Sequence, residues 1–257
     1  MNRFLKGFLK FAGTVSAFAA VTAGIAFIAE RIEELKNCGK ELKHKPYGVY
    51  ERFVKRPLDC FLSTGALIVF SPIMAVTAIL VRIKLGSPVL FTQERPGRNE
   101  KIFKLYKFRT MTDDRDENGE LLPDDVRLTK FGKLLRSTSL DELPELFNMV
   151  KGDMAVVGPR PLLVKYLPFY SERESSRHDV RGGLTVPEIL LGKPRISWDE
   201  QLECEAEYAS SISFLKDLRI IAATIGVVLK RVDSGFGGNI RLPLDVERSD
   251  RTDKERK

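Results

Sequence analysis

Residues 55–84 read KRPLDCFLSTGALIVFSPIMAVTAILVRIK, and the placing of this stretch decides the architecture. Its apolar centre, Cys60 to Val81, is long enough to enter a membrane, yet Ser71-Pro72 interrupts it near the middle. Basic residues flank both ends, Lys55 and Arg56 before it and Arg82 and Lys84 after it. Positive flanks prefer the cytoplasmic side, so two equally basic flanks favour a segment that enters and returns by the same face. Pro72 supplies the bend, because it cannot donate to the carbonyl of Ile68 and its ring clashes there. The Ser71 hydroxyl can satisfy the carbonyl so freed inside the bilayer. A proline-kinked helix that crosses outright is the alternative that the charges alone leave open.

Toward the amino terminus, residues 11–29 carry no charged side chain. At ~1.5 Å of helical rise per residue they nearly cross a hydrocarbon core ~30 Å thick. Arg3, Lys6 and Lys10 precede the run, which also allows a cleaved signal peptide, although the uncharged stretch is long for one. Gly13, Ala17 and Gly24 are small enough to let another helix approach, a weak signal for a homodimer. The chain carries 42 lysines and arginines against 35 aspartates and glutamates, a formal charge of +7 that suits an anionic membrane surface. The apolar stretches give that charge a nearer explanation than nucleic acid, so no nucleic-acid partner is expected. Cys38, Cys60 and Cys204 never form a CxxC pair, which argues against a disulfide framework or a zinc site. His44 and His178 stand alone, so chemistry must fall to carboxylates and to bases other than histidine.

Beyond the membrane segment, Pro88 to Phe91 reads as a strand, Arg95 to Asn99 as a turn and Lys101 to Met111 as an extended run, together a hairpin. The polar stretch Thr112 to Asp125 reads as a mobile surface loop. Leu128, Phe131, Leu134 and Leu135 share one face of a basic amphipathic helix, able either to lie in the headgroup layer or to pack its leucines on a core. A second helix carries Leu143, Leu146, Phe147 and Val150 and ends at Lys151-Gly152. Met154 to Val157 is a short buried strand leading into Gly158-Pro159-Arg160-Pro161, and Ile212 to Val232 reads as a helix. From Asp233 onward the chain is glycine-rich and then densely charged, a composition that predicts disorder.

Candidate chemistry gathers at Ser139-Leu140-Asp141-Glu142-Leu143-Pro144-Glu145-Leu146. Ser139 and Glu142 spell a capping box, a structural reading that Pro144 complicates because its nitrogen has no proton for the carbonyl of Leu140. The functional reading uses the same place. Free N–H groups at a helix start bind phosphate oxygens and keep a nearby carboxylate ionised, and an ionised aspartate attacks phosphorus competently. Such an attack brings negative charge toward negative charge and needs a divalent cation with arginine or lysine donors. Arg160, stiffened between Pro159 and Pro161, suits that task, and Lys107, Arg109 and Arg136 are further candidates. A rigid turn and plain surface charge are the alternatives for these residues.

These stretches resemble the monotopic phosphoglycosyl transferases, or bacterial sugar transferases, over roughly Val54 to Arg231. Lys55-Arg56 with Asp59 is similar to that family's opening motif, Ser71-Pro72 to the bend of its re-entrant helix, and Tyr106 to Met111 to its YKFRTM strand. Ser139 to Leu146 resembles its Asp-Glu catalytic motif, and Gly158 to Pro161 its proline-arginine-proline loop. The resemblance implies an α/β fold, mainly helical with a small sheet, in a monotopic membrane protein with a re-entrant helix-break-helix and interfacial amphipathic helices. It implies 51–86 as the re-entrant helix and 87–232 as a catalytic domain on the cytoplasmic face of the bacterial inner membrane, while hydropathy and composition set off residues 1–50 as an apolar membrane segment and linker and 233–257 as a disordered tail. It also implies a ping-pong reaction. Asp141 attacks the sugar-bearing phosphate of a UDP-sugar and releases UMP, and polyprenyl (undecaprenyl) phosphate then takes the phosphosugar. Asp141 would be nucleophile and Mg2+ ligand, Glu142 its acid-base or metal-positioning partner, and Arg160 a phosphate clamp. A non-catalytic membrane scaffold is the rival, which the joint presence of Asp141, Glu142 and Arg160 disfavours. After Leu184-Thr185 the sequence departs from the pattern, where many members continue Gly-Trp-Ala-Gln, and resumes it at Ile196-Ser197-Trp198.

Overall fold

The computed structural model describes residues 3–36, 48–193, 196–231 and 241–255. Two long apolar helices come first, α1 over Arg3–Lys36 and α2 over Lys55–Lys84, the latter entered through a single π-turn at Tyr50–Val54. Both have the length and composition to cross a membrane. They lie side by side with opposed directions: Thr22 meets Thr64 at 3.1 Å between hydroxyls, and Arg31 reaches the carbonyl of Arg52 at 3.1 Å. The packed stripe of α1 is Ala19, Ala23 and Ala26, while Gly13, Ala17 and Gly24 face outward. Small residues thus bring the helices together, but a different set from the one that the sequence pointed to.

The hydrogen bonding of α2 is not interrupted at the expected break. Hydrogen-bonded helix continues through Pro72 for 30 residues. The Ser71 hydroxyl donates to the carbonyl of Ile68 at 2.8 Å, which satisfies the acceptor that Pro72 cannot serve, while the proline ring still crowds that carbonyl and favours a bend within the continuous helix. Both ends of α2 are nevertheless held by one globular body. At the first end, Lys55 Nζ lies 2.6 Å from Asp217, and Arg56 donates to the carbonyls of Met149 and Val150 at 2.8 and 2.9 Å. Asp59 there accepts the amide of Val156 at 3.2 Å. At the other end, Val81 and Leu85 are buried with Phe108 and Leu135. Val69, Ile73, Val76 and Ile79 between them stay exposed.

The hairpin forms as expected, with its first strand starting later and running further. Strand β1, Leu90–Pro96, pairs antiparallel with β2, Ile102–Phe108, in the register Leu90↔Phe108 to Pro96↔Ile102. One helical turn, α3 over Asp124–Arg127, closes the polar loop that follows. Helix α4, Lys130–Ser137, is capped by Thr129, whose side chain accepts from the amide of Gly132. Its Leu135 is buried and its Leu134 exposed, so only part of the expected apolar face meets the core. Helix α5, Glu145–Lys151, ends on Gly152, whose φ of 96° lets its amide close on the carbonyls of Asn148 and Met149. A side chain at Gly152 would also meet the Arg56 guanidinium at 2.9 Å.

Strand β3, Met154–Val157, pairs in parallel with β4, Gly182–Thr185, across a connection that includes α6, Glu172–Ser175. Helices α7, Trp198–Ser210, and α8, Phe214–Arg231, cover this second small sheet through Val157, Val180, Tyr208, Ile212 and Ile220. The chain is therefore mainly helical with two two-stranded sheets among the described residues. The tail departs from expectation: α9 occupies Leu244–Glu255, and Leu244 is fully buried beside Trp198, Leu202, Leu162 and Tyr166. One leucine in a charged run is invisible to composition yet anchors the segment. The expectations for Cys38, His44 and residues 233–240 lie outside the described residues.

Candidate active site

The Asp-Glu motif sits in the bend between α4 and α5. Ser139 takes a left-handed backbone, with φ of 55°, and makes no side-chain cap bond, so the capping box is not formed. Leu140–Glu142 makes a single 3-10 turn, and Pro144 falls immediately before α5, where its missing proton costs no helical bond. The Asp141 carboxyl is bonded by its own backbone amide, and the Glu142 side chain faces the cations of β2 and of the Pro159–Pro161 loop.

Asp141 is buried, 8% exposed. Its pKa is pushed up to about 6, first by burial and next by Glu142, with Lys107 and Arg136 pulling the other way. Glu142 is joined to Lys107 of β2 at 2.7 Å and to Arg160 at 3.7 Å. Lys107 also reaches Glu145 at 3.1 Å. Burial works against the lysine charge, but Glu142 and Glu145 outweigh it and hold the Lys107 pKa above the ordinary value. Burial in turn raises the pKa of Glu145 despite that lysine. The Arg160 side chain is half exposed, so it borders the open side of this cluster.

Of the residues named from sequence, Lys107 and Arg160 thus converge on Glu142. Arg136 donates to the Thr110 hydroxyl at 3.1 Å while its charge acts on Asp141. Arg109 is used elsewhere, since its guanidinium bonds the carbonyls of Met111 and Ser87, both at 2.8 Å, and Asp113 at 2.7 Å. Lys55, Arg56 and Asp59 fasten α2 to α8, α5 and β3 and take no part in the cluster.

The loop of Pro159, Arg160 and Pro161 is held from below by groups that sequence reading missed. The amide of Arg160 donates to Glu205 at 3.0 Å, and its carbonyl accepts from Arg177. Arg177 and Glu205 form an ion pair at 2.7 Å with side chains 1% and 0% exposed. Glu188, on the stretch where the sequence leaves the family pattern, has a buried carboxyl oxygen with no hydrogen-bond partner. Burial, and then Glu205, hold its pKa above the ordinary carboxylate range. Glu145 had a visible signal, standing four residues after Asp141 in the same motif. Glu205 and Arg177 are 28 residues apart and had none.

Among the described residues, no cluster of three or more side chains is arranged to hold a metal ion unaided. Magnesium characteristically takes one or two carboxylates and completes its shell with substrate phosphates and water. The adjacent hard-oxygen donors Asp141 and Glu142 fit that mode.

A family model described as bacterial sugar transferase matches residues 50–231. An uncharacterized sugar transferase of Bacillus subtilis (strain 168), EpsL, is 49% identical over 176 residues, covering 68% of this chain and 87% of the relative. The UDP-N-acetylgalactosamine-undecaprenyl-phosphate N-acetylgalactosaminephosphotransferase of Aeromonas hydrophila is 34% identical over 197 residues, 72% of this chain and 45% of the relative. The UDP-glucose:undecaprenyl-phosphate glucose-1-phosphate transferase of Klebsiella pneumoniae is 38% identical over 181 residues, 66% of this chain and 39% of the relative. The chain thus spans most of the first relative and less than half of the other two.

Proposed function

Because the chain belongs to the bacterial sugar transferase family, we propose that it moves a sugar 1-phosphate from a UDP-sugar onto undecaprenyl phosphate, the first membrane step of a bacterial glycan assembly. The observation that carries this reading is the grouping of Asp141 with Glu142, Lys107 and Arg160 at the bend before α5. It offers one buried carboxylate as nucleophile and two cationic side chains for phosphate oxygens. The named activities of the Aeromonas and Klebsiella relatives support the same donor and acceptor classes.

In the proposed first step an Asp141 carboxylate oxygen attacks the sugar-bearing phosphorus. The bond from that phosphorus to the bridging oxygen breaks, and UMP leaves with the electron pair. An oxygen of undecaprenyl phosphate then attacks the same phosphorus, releasing the Asp141 carboxylate and forming the lipid diphosphate-linked sugar. Arg160 and Lys107 offset the charge that gathers on the phosphate oxygens. Glu142, held between those two cations, positions them beside Asp141. Magnesium held by Asp141, with Glu142 adjacent, would neutralise further negative charge on the donor diphosphate.

The acceptor is confined to the bilayer and the donor to water, so the site must lie at their boundary. Three features support a domain on the cytoplasmic face of the inner membrane, served by an α2 that returns to its own side. Both ends of α2 are gripped by one body, one face of its middle, with Val69, Ile73, Val76 and Ile79, is exposed and apolar while Met74 packs on the core, and its flanks are equally basic. The test is UMP release by nanodisc-reconstituted protein given magnesium, undecaprenyl phosphate and a panel of UDP-sugars. Release with one or two donors, lost without magnesium, is the expected result. Silence of well-folded protein across a broad panel would overturn the reading in favour of a scaffold.

A further inference from the structure

The family match ends at residue 231, yet the described chain resumes at Arg241 and packs back on the domain. The Arg241 guanidinium stacks on the Trp198 ring, 3.4 Å from its centroid, and donates to the carbonyl of Ile196 at 3.2 Å. Trp198 Nε1 in turn donates to the carbonyl of Leu242 at 2.9 Å. Beyond them Leu244 is buried against Leu162, the residue after Pro161. Lys165 with Asp245 at 2.7 Å, and Arg248 with Glu174, hold the start of α9 to the same face.

A line of hydrogen bonds runs inward from this contact. Arg241 Nη2 donates to Gln201 Oε1, Gln201 Nε2 donates to Glu205 Oε1 at 3.1 Å, and that same oxygen accepts the amide of Arg160 at 3.0 Å. A guanidinium has only protons to offer, so it can face only the oxygen end of the Gln201 amide. Arg241 therefore fixes which end of that amide meets Glu205, and Glu205 in turn holds the backbone of the arginine at the open side of the site. We propose that Arg241 is a positioning residue for the Arg160 loop, and that residues 241–255 are a strap that holds this loop in its anion-receiving geometry. The proposal rests on the reading of Arg160 as a phosphate ligand. It assigns a task to a segment outside the family match, through side chains that never touch the donor.

The experiment uses full-length protein in nanodiscs, with Arg241→Ala, Gln201→Leu, Arg160→Ala and the double variant Arg160→Ala/Arg241→Ala. Two readouts are taken. One is the donor KM and kcat from UMP release. The other is the emission of Trp198, the one tryptophan in the chain, during titration with inorganic pyrophosphate and magnesium. Arg241→Ala is expected to raise donor KM about tenfold with kcat within about twofold, the size of one lost charge-assisted bond. Gln201→Leu is expected to do the same with the Arg241–Trp198 stack, and hence the resting emission, intact. In the Arg160→Ala background the loss of Arg241 should add nothing, because the two act through one loop. Pyrophosphate should shift Trp198 emission in the wild type and leave it unchanged in Arg160→Ala.

Equal penalties of Arg241→Ala in both backgrounds would overturn the proposal and make the strap a general support of the fold. So would UMP release with an unaltered donor KM and a silent tryptophan, which leaves the transfer reading standing. Absence of UMP release with a Trp198 response that still depends on Arg160 would instead remove the transfer reading and keep the strap.

Discussion

Lys107 Nζ stands 2.7 Å from Glu142 and 3.1 Å from Glu145, so its charge is divided between two carboxylates neighbouring Asp141. Asp141 is left with burial and the Glu142 charge as its dominant influences, and its pKa rises to about 6. The nucleophile must be ionised. Before magnesium binds, the Asp141 carboxyl therefore ionises near pH 6, and the acid limb of the kcat/KM profile for UMP release, which reports the free enzyme, is expected above about pH 4, the range of an ordinary aspartate. Lys107→Met removes a cation that lowers the Asp141 pKa, and should move this limb upward. A limb that stays in place in Lys107→Met would contradict the assignment.

The same strain has a stability consequence. A carboxyl whose folded pKa lies above its unfolded value binds protons more tightly when folded. It favours folding below the unfolded value, and that contribution is lost as pH rises through about 6. At pH 8 the ionised Asp141 is thus a net cost to the fold. Asp141→Asn should abolish turnover and raise the thermal midpoint at pH 8, by on the order of 1–3 kcal/mol of unfolding free energy. At pH 3 the difference should vanish. A variant less stable than wild type at pH 8 would contradict the electrostatic account.

Arg177 and Glu205 are both buried and support the Arg160 loop from below. Arg177→Ala strands a carboxylate with its charge uncompensated, at a cost of about 3–5 kcal/mol. The double variant Arg177→Met/Glu205→Leu, which leaves no charge behind, should recover most of the thermal midpoint while donor KM stays high, because the bonds to the Arg160 backbone are not restored. Recovery of both together would show that the pair serves stability alone.

The grip on both ends of α2 predicts membrane topology. In a background with Cys38, Cys60 and Cys204 replaced by serine, Glu51→Cys and Lys84→Cys should both react with an impermeant maleimide from the cytoplasmic side only. Labelling from opposite sides would mean that α2 crosses outright.

How much of this was legible in the sequence follows from the range of each interaction. The hairpin, the end of α5 at Gly152 and strand β3 rest on local turn chemistry and short-period patterns, and they sit close to where the residues placed them. The Ser71 hydroxyl was read correctly as the donor to the Ile68 carbonyl that Pro72 cannot serve, and that repair keeps the helical hydrogen bonding continuous through Pro72. At the site, Asp141, Glu142, Lys107 and Arg160 stood out as residue types suited to phosphate chemistry. The support for Arg160 did not, since Arg177, Gln201, Glu205 and Arg241 meet only once distant segments have packed. Arg109, a further candidate by its motif, is placed apart from the Asp141 cluster, where its guanidinium bridges two loop carbonyls and Asp113. Residues 241–255 depart from the expected disorder because a single leucine and one stacked arginine outweigh their composition.

The central claim is that Asp141 carries the phosphosugar between donor and acceptor. The most direct measurement is mass spectrometry of the protein quenched after exposure to its UDP-sugar and magnesium without undecaprenyl phosphate. The account predicts a sugar-phosphate adduct on the peptide bearing Asp141, absent from Asp141→Asn and discharged when the acceptor is added. An adduct on another residue, or UMP released by Asp141→Asn at the wild-type rate, would contradict it.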